Sequence, residues 1–241
     1  MNGGSKAESS DSVRLSIVIP TLNEGPYLGG LLEDVARLRI SNEVIVVDGG
    51  SSDNTANVAS AAGAEVLTRS PGRGEQLRAG AEAASGLVLC FLHADVRLEA
   101  RAREEIESYV ATSPPYAVAF RLQIDAPGLV YRLLERGANL RSRLLGLPYG
   151  DQGLLLSREA YERAGGYPSI PIMEDVALVR RLRQSAGLRL LRGRVIVSPR
   201  RWLRDGPITR TVINLSLLIR YLAGASPHRL ARRYRPETLD E

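Results

Sequence analysis

The sequence predicts an α/β fold with a mostly parallel central sheet flanked by helices. Three observations lead there. Apolar runs alternate with amphipathic stretches from Arg14 to Leu92 in the order βαβαβαβ, the pattern of parallel strands joined by right-handed helical crossovers. The run Leu87-Val88-Leu89-Cys90-Phe91-Leu92 is apolar without a break, as in a strand buried on both faces. Polar residues then follow the strands directly: Asn23 and Glu24, Asp48, and His93 and Asp95. Ligands of open α/β sheets collect at those carboxyl ends.

Residues 1–12 are polar and expected to be disordered. Arg14 to Pro20 reads as the first strand. Pro26 suits the first turn of a helix, and Leu28, Leu31, Leu32, Val35 and Leu38 continue it at helical spacing. Glu43 to Val47 is the second strand, and the turn from Asp48 to Thr55 leads into a helix ending near Ala62. Ala64 to Leu67 is a short third strand. After a loop from Arg69 to Gly74, a helix over Glu75 to Ala84 ends at Gly86. Beyond the Leu87 strand, a helix from about Glu99 to Val110 stops before Pro114-Pro115. Tyr116 to Ile124 alternates partly, as a strand. Leu129 to Leu145 is helical, with Val130, Leu133, Leu134, Leu140 and Leu144 on one apolar stripe. Leu154 to Leu156 and Leu188 to Val197 are strands. Between them a helix over Val176 to Ser185 turns Val176, Val179 and Leu182 inward.

A chain of 241 residues with 44% hydrophobic content suits one large domain. The lone cysteine, Cys90, lies in the buried strand, which excludes a disulfide framework and a thiolate zinc site. The N-terminus has no signal-peptide core, and no run reaches the roughly 18 apolar residues of a spanning helix, so a cytoplasmic location is expected. Net charge is +5 and unevenly spread: Arg180 to Glu241 carries 15 Arg against 4 Asp and Glu, which is +11 and leaves −6 for the rest. A basic C-terminal third suits phosphates, an anionic membrane surface or nucleic acid. With 5% aromatic residues and no aromatic–basic stacking platform, nucleic acid is not expected.

A dinucleotide fold would place G-x-G-x-x-G after the first strand, and a P-loop needs a lysine where this chain has only Lys6. Instead, Ser16-Ile17-Val18-Ile19-Pro20-Thr21-Leu22-Asn23-Glu24 resembles the opening of family 2 glycosyltransferases of the GT-A fold, and Glu43 to Thr55, with Asp48-Gly49-Gly50-Ser51-Ser52-Asp53, is similar to their second motif. The resemblance runs from about Leu15 to Trp202. It implies an inverting glycosyltransferase with a nucleotide-diphosphate sugar donor, often a UDP-sugar, and a divalent cation, Mg²⁺ or Mn²⁺.

The resemblance also assigns residues. Thr21, Asn23 and Glu24 lie beside the nucleoside, and Asp48 accepts from the base edge. Arg73, in Gly72-Arg73-Gly74 at a helix start, reaches the base or diphosphate; from the residues alone it is an anion site or a solvated loop arginine. Relatives often carry Asp-x-Asp where this chain has His93-Ala94-Asp95, as in a short, soluble bacterial subfamily. Asp95 is then the metal contact, and His93 touches ribose or phosphate. Glu174-Asp175 looks like the family's Glu-Asp motif, with Asp175 as base and Glu174 on the acceptor side. Ser198-Pro199-Arg200-Arg201-Trp202 resembles the basic-aromatic motif near the diphosphate, contacted by Arg200 or Arg201. Asp151 and Gln152 enter a strand from a turn, as an acceptor-binding edge or as turn chemistry.

This divides the chain into residues 1–12, a transferase domain 13–205 with a nucleotide-binding half 13–97 and an acceptor half 98–205, and a C-terminal helix with a basic tail, 206–241. Ile208 to Ala223 is apolar nearly all round. It is expected to pack on the domain or at a homodimer interface, with peripheral contact to the inner face of a membrane as the alternative. The expected activity is transfer to an acceptor hydroxyl or carboxylate. The alternatives are a catalytically weak nucleotide-sugar-binding homologue, and a membrane-associated transferase acting on a lipid or carotenoid. A sugar-phosphate nucleotidyltransferase would need a basic Gly-rich loop where this chain has the acidic Asn23-Glu24 turn.

Overall fold

The computed structural model describes residues 14–232 and 234; the disorder expected at 1–12 and the last arginine of the tail, Arg235, lie outside them. The N-terminal half comprises β1 (Leu15–Thr21), α1 (Gly25–Ala36), β2 (Asn42–Asp48), α2 (Thr55–Ala61), β3 (Glu65–Thr68), α3 (Arg73–Ala83) and β4 (Val88–Phe91). There follow β5 (Val96–Leu98), α4 (Ala100–Thr112), β6 (Ala117–Ile124), α5 (Leu129–Leu145), a 3-10 turn (Gly150–Gln152), β7 (Leu154–Ser157), α6 (Arg158–Arg163), α7 (Glu174–Ser185) and β8 (Leu188–Val197). The C-terminal part is α8 (Arg200–Asp205), α9 (Pro207–Leu222) and α10 (Pro227–Ala231). No helix among the described residues is long and apolar enough to cross a membrane.

The strands form one sheet in the order β3-β2-β1-β4-β7-β6-β8-β5. Its first four strands are parallel, as the alternating pattern predicts. β7 runs antiparallel to β4 and β6, β8 lies parallel to β6, and β5 pairs antiparallel with β8. Ile17, Ile19 and Cys90 pack under α1 and α4, whereas Val18, Leu89 and Phe91 pack under α3, α6 and α7. Successive strand residues point to opposite faces, so a sheet covered on both sides needs unbroken apolar strands. Cys90 is fully buried, and burial pushes its thiol up to about 12, which keeps it unreactive.

Of the apolar stripe, Leu133, Leu140 and Leu144 are 54–68% exposed and Val130 41%, while Leu134 packs against the core. β7 pairs with β6 only at Val118, leaving the rest of that β6 edge without a strand partner. Polar side chains fill in. Asn139 Oδ1 accepts from Leu122 N at 2.8 Å, and its Nδ2 donates to Leu122 O at 3.0 Å. Glu135 accepts from Ile124 N at 2.6 Å, Arg132 donates to Ile124 O at 2.9 Å, and Gln152 Nε2 donates to Phe120 O at 3.0 Å. A buried sheet edge must be satisfied, so α5 turns Arg132, Glu135 and Asn139 inward beside Leu134, and leaves its other leucines outward.

Asn139→Leu leaves both Leu122 groups unpaired. It is expected to cost about 2–6 kcal/mol, from roughly 1–3 kcal/mol for each of the two orphaned groups, read as a lower urea midpoint. An unchanged midpoint would remove the edge-capping role.

Candidate active site

The strand ends are built by turns that lock on one another. Thr21 and Asp48 lie opposite in the β1–β2 register. Asn23, at φ 54°, donates its N–H to Ser51 Oγ at 2.9 Å and accepts from Ser52 N at 2.9 Å. Asp48 Oδ2 accepts from Gly50 N and Ser51 N at 3.2 and 2.9 Å, while Oδ1 accepts from the hydroxyls of Thr21 and Ser51. Two carboxylate oxygens offer about four acceptor sites, so the turn uses them all. Asp48 thus builds the turn, and it does not line the cavity described below. Asn23 is likewise committed to the turn. Gln76, which the sequence reading missed, is buried and donates to Thr21 O and Val47 O at 2.8 and 2.7 Å. It fixes the start of α3 across both strand ends; a single glutamine in a helix gives no pattern that would flag it.

The short strand β5, also unforeseen, carries the next step. Val96 pairs with Val197, and Asp95 O accepts from Ser198 N at 3.0 Å. The start of α8 is thereby held at the end of β4. Arg200 Nη2 lies 3.0 Å from Asp95 Oδ2 and also pairs with Glu24 Oε1, and the guanidinium sits 4.5 Å from the Tyr27 ring centre.

Glu24, Arg73, His93, Asp95, Asp151, Asp175 and Arg201 line one cavity of about 800 Å³ with Thr21. Its far wall comes from the C-terminal elements through Trp202, Arg210, Asn214, Leu217 and Tyr234. The expected site residues Glu174, Gln152 and Arg200 are not on the wall. Gln152 is fully buried, with Oε1 accepting from Ser142 Oγ at 2.6 Å and Nε2 bound to β6, so it caps that edge. Glu174 pairs with Arg73 Nε and anchors that guanidinium. Burial pushes the Glu174 carboxyl up against the opposing pull of Arg73. Burial also opposes the Arg73 charge, yet Glu174 and Asp175 hold that guanidinium above the ordinary arginine value.

Asp175 opens α7. Its Oδ1 accepts from Val176 N at 2.7 Å and its Oδ2 from Gly150 N at 2.8 Å, with Arg73 Nη2 at 3.9 Å. His93 Nε2 is buried without a hydrogen-bond partner among the described residues. A Cβ on Gly150 would stand 2.8 Å from that nitrogen, so only glycine leaves the imidazole its place. Burial, with Arg73 and Arg201 nearby, pulls His93 well below its ordinary value, so the ring is neutral and can accept a hydrogen bond or ligate a cation. No cluster of three or more His, Cys, Asp or Glu able to hold a metal exists among the described residues. An all-protein cage is therefore absent there. Asp95 with the unpartnered His93 fits a cation that draws its other ligands from a diphosphate and water.

Asp151 Oδ1 is buried and also lacks a partner among the described residues. Burial pushes its carboxyl up, opposed by Arg141 and Arg201. A carboxyl whose folded value is raised loses stability as pH climbs from the ordinary aspartate range through that value. Asp151→Asn removes this loss. The variant is expected to melt at a higher temperature than wild type at neutral pH, with the gain shrinking below the ordinary aspartate range; a gain independent of pH in thermal melts would refute this.

Residues 16–163 match the family described as Glycosyl transferase family 2. A glucosyl-3-phosphoglycerate synthase of Mycolicibacterium smegmatis is 36% identical over 93 residues, covering 34% of this chain and 31% of that protein, so the chain spans under a third of this relative's length. The S. aureus TarS 1-349 structure in complex with UDP superposes with a TM-score of 0.61 at 15% identity, over 90% of this chain and 68% of that one. The Mycobacterium tuberculosis glucosyl-3-phosphoglycerate synthase, in complex with Mn²⁺, UDP and glucosyl-3-phosphoglycerate, gives a TM-score of 0.52 at 23% identity, over 77% and 70% of the two chains. With the parallel nucleotide half and the matched motifs, these likenesses place the fold among GT-A transferases, and the chain belongs to glycosyl transferase family 2.

Proposed function

We propose that this chain is an inverting glycosyltransferase that moves a sugar from a nucleotide-diphosphate donor, a UDP-sugar, to an acceptor hydroxyl or carboxylate. The observation that carries this reading is that Asp95, Arg73, Arg201 and Asp175 share one cavity. The nucleotide lies against Thr21 and Glu24. Of the two adjacent arginines, Arg200 is held by Glu24 and Asp95 while Arg201 lines the cavity, so Arg201 is assigned to the diphosphate. The kind of complex formed by the M. tuberculosis enzyme, with Mn²⁺ and UDP, supports a divalent cation here at Asp95, with His93 beside it. When bound, that cation neutralises charge on the leaving diphosphate.

Asp175 takes the proton from the acceptor hydroxyl as its oxygen bonds to the anomeric carbon. The bond from that carbon to the diphosphate breaks on the opposite face, and the electron pair leaves with the diphosphate, stabilised by Arg201 and Arg73. The two backbone N–H groups on Asp175 fix its orientation and leave lone pairs for the proton. A carboxylate acceptor arrives ionised and needs only positioning. A second reading makes Asp151 the base, because its raised carboxyl and unpartnered oxygen suit proton acceptance.

Asp175→Asn is expected to lower turnover of a UDP-sugar roughly a hundredfold or more, the scale of a lost general base, with UDP affinity little changed. Measuring it beside Asp151→Asn decides the assignment: near-normal turnover in the first and none in the second moves the base to Asp151.

Asp95→Ala is expected to abolish the gain in UDP affinity that Mn²⁺ brings. Calorimetric titration of UDP with and without Mn²⁺ checks this, and metal-independent affinity in the wild type would count against Asp95 as the metal contact.

A further inference from the structure

The large apolar side chains that the fold leaves in solvent are concentrated on two helices. On α5 they are Leu129, Leu133, Leu140 and Leu144, one stripe at helical spacing. On α9 they are Ile208, Val212, Leu215, Ile219 and Leu222, again one stripe, each 43–68% exposed. α5 packs against α9, and Leu203 of α8, which packs on α9, is 67% exposed. A soluble monomer rarely presents so many large apolar residues on neighbouring helices. Neither stripe is an accident of poor packing. The inward face of α5 is spent on Glu135 and Asn139, which cap the β6 edge, and on Tyr131, Leu134 and Ala138, which pack on the core; the inward face of α9 is spent on Leu217, Leu218 and Arg210.

Charge decides what covers them. The exposed charged side chains of the two helices are Arg136, Arg143 and Arg220, and all are basic. Glu135, the acid of α5, is buried against β6, and α9 has no acid. A second copy seated symmetrically on this face would set the basic rim against itself. A surface with apolar depth and negative charge at its boundary matches both properties.

We propose that the α5, α8 and α9 face is a docking surface for an anionic lipid bilayer, with the two apolar stripes in the headgroup–acyl boundary and the arginines among the lipid phosphates. The surface is wider than the C-terminal helix that the sequence suggested, since α5 belongs to the transferase domain. It does not depend on the transfer reading. The inward residues Arg210, Asn214 and Leu217 of α9 line the cavity, so docking sets that wall of the cavity beside the membrane.

Flotation of the full chain with vesicles of phosphatidylcholine, with or without phosphatidylglycerol, tests this at low and moderate salt. Wild type is expected to float with the anionic vesicles, less so as salt screens the arginines, and not with phosphatidylcholine alone at moderate salt. Leu133→Gln with Leu140→Gln and Leu144→Gln on α5, and separately Val212→Gln with Leu215→Gln and Ile219→Gln on α9, are each expected to weaken binding at least tenfold. A cooperative thermal melt like that of wild type, in both variants, reports that they fold. Absence of wild-type binding to anionic vesicles at low salt overturns the proposal. So does an α5 variant that floats like wild type, or a wild-type dimer by light scattering that the same substitutions dissolve without any vesicle binding.

Discussion

The arrangement of the cavity depends on a single guanidinium. Glu24 follows β1, Asp95 follows β4, and both carboxylates are over 90% buried. Two buried carboxylates so placed would be costly without a cation between them. Arg200 supplies it: its Nη2 meets both carboxylates, and its Nε adds a second bond to Asp95. Because Arg200 opens α8 after β8, the triad ties the outer, mixed part of the sheet to the parallel part. Its neighbour Arg201 is thereby aimed at the cavity, so the two arginines divide the work: one holds the strand ends, the other faces the ligand space.

A second ion pair sets the opposite wall. Arg73 at the start of α3 meets Glu174 at the start of α7, and Asp175 follows at once. The approach is close enough that a Cβ on Gly74 would fall 2.6 Å from Pro168 O. The glycine therefore lets the loop before α7 descend onto α3. Met173, at φ 68°, then turns the chain into the helix, and Val176 N and Gly150 N both donate to Asp175. Arg200 and Arg73, each joining distant segments, thus fix two walls of the cavity independently, while His93 stays neutral within it.

The parallel half was legible in the sequence because sheets covered on both faces write themselves as unbroken apolar runs. The clustering of polar residues after those runs placed Glu24, Arg73, His93 and Asp95 on the cavity, and the family resemblance added Thr21, Asp175 and Arg201. Roles were less legible than places. Asp48 follows a strand as Asp95 does, and only the four donors converging on it show that it builds the turn. Gln152 sits beside Asp151 in the chain but points the other way, into the β6 edge. β5 has three residues, too few for any alternation to register, yet it brings Arg200 to Asp95. Arg200 and Arg201 were inseparable in sequence because adjacent helix residues differ only in which way each faces.

The orientation of α5 has the most physical content. The helix spans Leu129–Leu145 as the sequence predicts, and one with such an apolar stripe normally buries it. That rule assumes that the helix meets an apolar surface. Here it meets a strand edge whose N–H and C=O groups at Leu122 and Ile124 have no strand partner, and unsatisfied buried backbone costs more than leaving leucines in water is worth. Fully burying a leucine gains about 1.5–3 kcal/mol, and these are half-shielded already. An orphaned backbone group costs about 1–3 kcal/mol, and several are at stake along that edge. Asn139, Glu135 and Arg132 therefore decide the orientation of the helix. The leucine stripe follows as the remaining face, which leaves its composition free to be set by what lies outside the domain.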